Sequence, residues 1–259
     1  MPEQRGGLAF SLAQVSGIGG RTSNEDALGH VQHGTLACFV VSDGAGGHEG
    51  GEIASAITVK AILTAIDGTA PFADGLLAMA VAQASAEVAR GKEANSALGE
   101  MSATVATVLL DTQLGQVTWA HLGDTRVHLF RGRRLLAMTK DHSLVQQFVD
   151  AGLATDSDTR KHPKRNLLYA AIGAEGETAA ALQPALALQD GDALLVCTDG
   201  LWEWVTEEVM AQALAASNSV DAWLAALCAA ADGASAGSGK ARDNFTAQAL
   251  WIRAAQGQP

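Results

Sequence analysis

The chain has 259 residues, of which 48% are hydrophobic and 17% are charged, so it can bury a substantial core and is not a disordered chain. Its formal net charge of −11 excludes a general attraction to phosphate backbones or anionic lipid, and we expect neither nucleic acid nor membrane as a partner. Cys38, Cys197 and Cys228 are far apart in apolar runs, and no run reaches membrane-spanning length, so we expect reduced core thiols and a cytoplasmic location.

The first part of the chain predicts strands followed by helices. Apolar runs predict strands over 8–15, 27–32 and 36–41. Apolar residues at helical spacing predict a helix over 52–66, closed by Gly68 and Pro71. A second amphipathic helix is predicted from residue 72 or 74 to about residue 94.

The remaining elements complete a layered arrangement. Short runs over 104–111, 116–122, 126–130 and 135–138 predict an antiparallel meander. A short helix over 143–151 and a loop or flap over 152–164 follow, so that a small flap subdomain spans about 143–166. We then predict a strand over 192–198, helices over 207–215 and 220–231, a linker over 233–239 and a last strand over 245–252. This order predicts an α+β sandwich in one domain, 1–259.

One strand ends in a stretch that suggests cation chemistry. The apolar run that begins at Leu36 stops at Asp43, and glycines follow it. A carboxylate beside a flexible backbone can hold a hard cation together with a neighbouring carbonyl oxygen. A lone Asp-Gly pair is more simply explained as a turn.

Further acids stand at the boundaries of other predicted elements, namely Glu25, Asp26, Asp124, Asp199 and Asp243. Carboxylates gathered near an apolar core repel each other, and a divalent cation resolves that conflict. Oxygen ligands favour Mg²⁺ or Mn²⁺ over zinc, and the chain has no Cys/His cluster. From the acids alone, a shared metal site and separate turn or cap roles both stay open.

Six short motifs occur in a recognisable order: Arg21-Thr22-Ser23-Asn24-Glu25-Asp26, Asp43-Gly44-Ala45-Gly46-Gly47-His48, Gly123-Asp124-Thr125-Arg126, Asp141-His142-Ser143, Asp199-Gly200 and Asp243-Asn244. Each motif is weak alone, but together they cover nearly the whole chain. In them the chain resembles the metal-dependent protein serine/threonine phosphatases of the 2C type, in their compact bacterial form. The resemblance implies a four-layer α-β-β-α sandwich of two antiparallel sheets, with a dinuclear Mn²⁺ or Mg²⁺ centre at one end.

The resemblance also implies a role for each acid. Asp43 would bridge two ions, and the Gly44 carbonyl would bind one of them. Glu25 would reach that ion through water, with Asp26 beside it. Asp199 and Asp243 would complete the coordination of the other ion, and Asp124 would bind a third ion that is held more weakly.

The implied reaction is attack on phosphorus by a metal-activated water. Arg21 would clamp the phosphate oxygens, although a surface ion pair with Glu25 is the alternative for this arginine. Ala45 departs from the family, because many members have a His there that is thought to act as the general acid. The usual arginine of a later motif is also missing from residues 166–173.

The histidines and tryptophans allow two interpretations each. We favour a hydrogen-bonding role for His48 over proton transfer, and loop fixing for His142. His162, in the flap, could meet substrate, but a solvated loop histidine is the simpler interpretation. We expect Trp202 and Trp204 to pack beneath the metal loop.

The sequence therefore predicts a monomeric phosphatase that acts on phosphoserine and phosphothreonine in proteins and opposes a bacterial Ser/Thr kinase. One alternative is a catalytically weak regulator of the same fold that binds phosphoproteins. Another is a metallohydrolase for a different phosphoester. The sequence does not decide between a general kinase–phosphatase pair and regulation of type VI secretion.

Overall fold

The fold is seen in a computed structural model that describes residues 7–46, 50–66, 70–73, 75–174, 176 and 179–255. Its strands are β1 (Leu8–Gly17), β2 (Asp26–His33), β3 (Leu36–Ala45), β4 (Ser102–Ala103), β5 (Val105–Asp111), β6 (Gln116–Leu122), β7 (Arg126–Arg131), β8 (Arg134–Met138), β9 (Ala181–Ala187), β10 (Asp192–Cys197) and β11 (Phe245–Ala254). Its helices are α1 (Gly50–Ala65), α2 (Leu76–Ala94), α3 (Leu144–Asp150), α4 (Asp158–Lys161), α5 (Asp199–Trp202), α6 (Glu207–Ala216) and α7 (Val220–Ser238), with a short 3₁₀ turn at Ser96–Leu98.

The strands form two antiparallel sheets. One has the order β1-β11-β10-β7-β8, and the other has the order β2-β3-β5-β6-β9 with β4 paired to β3. Pairing of Gly17 with Phe245 and of Cys197 with Arg126 places those strand ends at one end of the first sheet. Pairing of Asp26 with Asp43 marks the corresponding end of the second sheet.

Three apolar layers hold the sandwich together. The middle layer lies between the sheets and includes Phe39, Trp119 and Leu250. An outer layer packs α1 and α2 on the second sheet, while the other packs α5, α6 and α7 on the first. The predicted four-layer α-β-β-α sandwich is therefore confirmed, and burial of these apolar faces is the main stabilising term.

The predicted meander over 104–138 is wrong in its connectivity. β5 pairs with β6 and β7 pairs with β8, but β7 joins β10 in the other sheet. The chain therefore crosses between the sheets at Gly123, Asp124 and Thr125, where Gly123 has a φ of +106°. Sequence periodicity shows strands but does not show which sheet each strand joins.

The predicted linker over 233–239 is also wrong, because α7 continues to Ser238 and ends at Gly239 with a left-handed φ of +71°. Alanines and glycines that we interpreted as a linker continue the helix, consistent with the high helix propensity of alanine. The predicted loop over 152–164 contains α4, a single turn.

β4, α5, β9 and the 3₁₀ turn have no counterpart among the predicted elements. β9 contains Pro184 and lies at the edge of its sheet, where a missing N–H is tolerated. Within the described residues, none of the helices is both long and apolar enough to cross a membrane.

Candidate functional site

The predicted site acids come together at one end of the sandwich. Asp26 begins β2, and Asp43 lies near the end of β3 directly across from it. Asp199 is the first residue of α5, immediately after β10, and Asp243 shortly precedes β11. Asp124 lies on the crossing between β6 and β7. Antiparallel pairing is what brings acids so far apart in sequence to the same place.

Of these acids, all except Asp26 line a polar pocket of about 500 Å³. Its wall contains seven of the predicted site residues, namely Arg21, Glu25, Asp43, Gly44, Asp124, Asp199 and Asp243. Thr104, Asn166 and Leu168 also line it and had no predicted role. His48 lies outside the described residues.

Burial and mutual repulsion disfavour the charged form of these carboxyls. Burial, followed by repulsion from Asp199, Asp26 and Asp124, raises the pKa of Asp43 well above its usual value. Burial and the charges of Asp124 and Glu203 do the same to the pKa of Asp199. A site with this much unbalanced negative charge attracts cations.

Asp26 and Asp124 have smaller shifts in the same direction. Burial raises the pKa of Asp26 to about 6, although hydrogen bonds with Thr246 and Thr198 oppose the rise. The Thr198 hydroxyl donates to Asp26 Oδ2 over 2.9 Å, whereas the buried Oδ1 has no hydrogen-bond partner among the described residues. Burial, with repulsion from Asp141, raises the pKa of Asp124 to about 7.

Glycines allow the main chain to approach closely around the pocket. A Cβ on Gly44 would overlap the carbonyl oxygens of Gly51 and Glu25, and the Gly44 N–H donates to the Glu25 carbonyl over 3.1 Å. A Cβ on Gly200 would overlap the Asn244 carbonyl oxygen. Glycine is therefore required at both positions by space.

Arg21 forms an ion pair with Asp243 and not with Glu25, so the alternative ion pair that we considered is not the one observed. The Arg21 side chain is 62% exposed and that of Asp243 is 32% exposed. The hydrogen bond to Asp243, and then its charge, raise the pKa of Arg21. An exposed guanidinium at the pocket wall can reach a bound anion.

Asn244 fastens the loops around the acids, a role that the sequence analysis missed. Its Nδ2 donates to the carbonyls of Ile18 and Ser23 over 2.8 and 2.9 Å. Its Oδ1 accepts from the Glu25 N–H over 2.9 Å. The asparagine directly after Asp243 was the available signal, because an amide can donate and accept at once.

Trp202 lies beneath the pocket, as predicted. Its indole N–H donates to the Asp124 carbonyl over 2.9 Å, which fixes the crossing between the sheets. Its ring lies 3.6 Å from the Arg126 guanidinium carbon. Arg126 is buried and donates to both oxygens of Asp141 over 2.8 and 2.7 Å. Trp204 is partly buried in the neighbouring apolar layer.

The two described histidines of the predicted set contact the protein itself. His142 Nδ1 accepts from the Gly123 N–H over 3.1 Å, so the predicted loop-fixing contact is present. His162 Nδ1 accepts from the Lys164 N–H over 3.1 Å, and its ring packs edge-on against Phe148. His162 is not among the described residues of the pocket wall.

Side chains alone do not enclose an ion here. Among the described residues, no three His, Cys, Asp or Glu side chains are close enough to hold a metal by themselves. The acids instead border a pocket in which main-chain oxygen and water could complete a coordination shell. The unpartnered Oδ1 of Asp26 and the close main chain at Gly44 suit a hard cation.

Comparisons with known proteins identify the family of the chain. A profile of the protein phosphatase 2C family matches residues 14–232. Serine/threonine protein phosphatase PstP of Mycobacterium tuberculosis is 34% identical over 200 residues, which cover 75% of this chain but only 36% of that protein. Serine/threonine phosphatase stp of Listeria monocytogenes is 31% identical over 202 residues, covering 75% of this chain and 78% of that protein.

A solved structure agrees with these sequence matches. The catalytic domain of PstP in complex with two manganese ions superposes with a TM-score of 0.79 at 27% identity, covering 95% of this chain and 99% of that one. The structural match covers nearly the whole chain, and the profile spans the predicted site acids except Asp243, which lies beyond residue 232. The chain belongs to the protein phosphatase 2C family.

Proposed function

We propose that this protein is a metal-dependent phosphatase that hydrolyses phosphoserine and phosphothreonine in proteins. The observation that carries the proposal is the convergence of Asp43, Asp124, Asp199 and Asp243 on one pocket whose wall also contains an exposed arginine. The names of the relatives, both serine/threonine phosphatases, support the same activity. The relative with two manganese ions supports the metal requirement.

The proposed ligands divide between two core ions, Mn²⁺ or Mg²⁺. Asp43 would bind both ions. The Gly44 carbonyl and Glu25 would bind one of them, and Asp199 and Asp243 would bind the other. Asp26 would support the first ion, and Asp124 would help hold a third. Bound divalent ions supply charge neutralisation for phosphate and lower the pKa of water.

The protein's own groups would bind and orient the phosphate. The planar fork of Arg21 can hold two phosphate oxygens once it leaves Asp243. Ala45 carries no ionisable group, so the leaving oxygen would take its proton from water. Trp202 and Asn244 would act indirectly, since they fix the loops that carry Asp124 and Glu25.

The test is turnover of a small aryl phosphate and of a phosphothreonine peptide, with Mn²⁺ and with a chelator. We expect turnover only with the metal, and a loss of at least 100-fold in Asp43→Asn and Asp199→Asn, because each removes a charged ligand. Asp221→Asn, on the exposed first turn of α7, is the matched control and should retain activity. Absence of a Mn²⁺-dependent rate in the wild-type protein would refute the proposal.

A second candidate function is suggested by Ala45. Without an acid in the loop, the protein could bind phosphoproteins and release them unchanged. Metal-dependent binding of a phosphopeptide without release of phosphate would favour this candidate. Turnover of nucleotides or sugar phosphates, with phosphopeptides untouched, would instead identify another phosphoester as the substrate.

The biological setting is part of the same proposal. We propose that the protein works as a monomer, with phosphoproteins of a Ser/Thr kinase pathway as its partners. All three cysteines are free thiols, which suits a reducing cytoplasm.

A further inference from the structure

The flap carries an unusual concentration of positive charge for this acidic protein. Arg160, Lys161, Lys164 and Arg165 lie within six residues, and they are four of the 17 lysines and arginines in a chain whose net charge is −11. We call residues 160–165 the basic edge. It begins in α4 and leads directly into Asn166, which lines the pocket.

The two arginines of the basic edge are already neutralised. Arg160 pairs with Glu207, and its side chain is only 10% exposed. Arg165 pairs with Glu203, because its Nε–H and Nη2–H donate to the two carboxylate oxygens. These pairs anchor the ends of the edge to the sandwich through α6 and the residue after α5.

The two lysines face outward and keep their charge free. Lys161 and Lys164 are exposed, and no acidic side chain in the described residues lies within ion-pair distance of either. The nearest acid along the chain to Lys161 is Asp158, one helical turn earlier, whose Oδ2 accepts from the N–H and hydroxyl of Thr155. Local hydrogen bonds shape the turn, since the Arg165 N–H donates to the His162 carbonyl.

The edge is fixed beside the acids of the pocket. Glu203, which holds Arg165, donates its N–H to the Asp199 carbonyl over 3.0 Å. Lys164 is two residues from Asn166 in the pocket wall, so their Cα atoms are within about 7 Å. A peptide whose phosphate occupies the pocket therefore passes close to the free lysines.

We propose that Lys161 and Lys164 select phosphopeptides that carry further negative charge, either acidic residues or a second phosphate, beside the phosphate to be removed. The proposal rests on the proposed phosphatase function and names the class of its substrates. The lysines supply unpaired positive charge next to a pocket wall rich in carboxylates, which otherwise repels an anionic substrate.

The expected size of the effect follows from distance and screening. One lysine and one negative charge about 10 Å apart in water attract each other enough to change an association constant about twofold. Two lysines acting on a doubly charged second phosphate make four such pairs, which screening at about 0.1 M salt reduces to roughly a threefold preference. The preference should nearly vanish as salt rises to about 0.5 M, because the Debye length, about 10 Å at 0.1 M salt, then falls to about 4 Å, well below the separation of the charges.

The experiment compares kcat/KM, with saturating Mn²⁺, for three phosphothreonine peptides. One has neutral flanks, one has two nearby glutamates, and one has a second phosphoserine. We expect the wild-type protein to prefer both charged peptides, and the preference to vanish in the double variant Lys161→Gln/Lys164→Gln. Lys161→Arg/Lys164→Arg should retain it. Lys60→Gln/Arg133→Gln, which removes the same charge from α1 and from the exposed turn between β7 and β8, is the matched control and should retain it as well.

Three results would overturn the inference. They are an equal rate for all three peptides in the wild-type protein, an equal loss of preference in the Lys60/Arg133 control, or an unchanged preference in the Lys161/Lys164 glutamine variant. A preference for the doubly phosphorylated peptide alone would narrow the class to multiply phosphorylated substrates. Failure of the phosphatase proposal is separately visible, because the neutral peptide and an aryl phosphate would then show no Mn²⁺-dependent turnover.

Discussion

The acidic pocket should make the metal-free protein less stable as pH rises. Asp43 and Asp199 have pKa values raised well above the ordinary value, and that of Asp124 is raised to about 7. The folded protein therefore keeps protons that the unfolded chain has already lost. Stability is full below the unfolded pKa of about 4 and declines as pH rises through the folded pKa values.

Buried histidines limit the window in which this decline is visible. Burial lowers the pKa of His121 and His128, and lowers that of His142 to about 4. These groups have the opposite effect, since folding becomes more favourable as the unfolded histidines lose their protons near pH 6.5. Above about pH 7.5 they are neutral in both states, and the carboxyls alone set the slope.

The size of the decline follows from proton linkage. A carboxyl that is protonated only in the folded state costs about 1.4 kcal/mol per pH unit. Each carboxyl that stays protonated in the folded protein across pH 7.5–8.5 therefore lowers the free energy of unfolding by about 1.4 kcal/mol. For a chain of this length, that corresponds to a fall of about 4 °C in Tm.

The assay is thermal unfolding by circular dichroism from pH 7.5 to 8.5, with chelator or with excess Mg²⁺. We expect Tm to fall with chelator and to fall less with Mg²⁺, because a bound cation replaces the protons. With chelator, Asp43→Asn should reduce the fall of Tm with pH. The substitution should also reduce the increase in Tm that Mg²⁺ gives. A metal-free Tm that is flat or rises over this range would refute the reasoning, as would an unchanged slope in Asp43→Asn.

Three further substitutions test the structure around the pocket. Trp202→Phe keeps an aromatic ring but leaves the Asp124 carbonyl without its donor. Urea unfolding should show that the free energy of unfolding falls by about 1–3 kcal/mol, and kcat should fall as well. Unchanged values would contradict the positioning role of Trp202. Arg126→Met leaves Asp141 buried without its partner and should cost about 3–5 kcal/mol, whereas Arg126→Met with Asp141→Asn should cost clearly less than the sum of the two single changes. Gly200→Ala places a methyl group against a main-chain oxygen, so it should lower both Tm and activity, while Gly233→Ala, in open space on α7, should not.

Most of the fold could be predicted from local pattern. The apolar runs located nearly every strand because a buried strand must be apolar throughout, as in β5 and β10. Sheet membership could not be predicted, since β6 and β7 are separated by only three residues and yet lie in different sheets. That choice depends on packing across the sandwich, which periodicity does not encode.

The order of the motifs predicted which residues line the pocket. It did not predict the hydrogen bonds and ion pairs that these residues form. Arg21, Asp43 and Asp199 line one pocket, as expected from their motifs. The partner of Arg21 was missed because it lies 222 residues away in the sequence. The hydrogen bond between Trp202 and the crossing was missed for the same reason, since it joins positions 78 residues apart.

The distribution of the arginines explains why the pocket retains a need for metal. Arg126 is the buried cation nearest to Asp124 along the chain, but its Nε–H and Nη2–H both donate to Asp141. Arg165, beside Asp199, is likewise occupied by Glu203. Had either arginine faced the pocket, its charge would have balanced the acids and weakened the attraction for a divalent ion.

Arg21 is the exception, because it pairs with Asp243. If Asp243 is a metal ligand, then cation binding competes with that ion pair and frees the guanidinium. Binding of the cation would thus place positive charge among the acids and would also release Arg21, the group proposed to bind phosphate. Phosphate would then be held well only after the metal is bound, because before that step the pocket is acidic and its arginine is occupied.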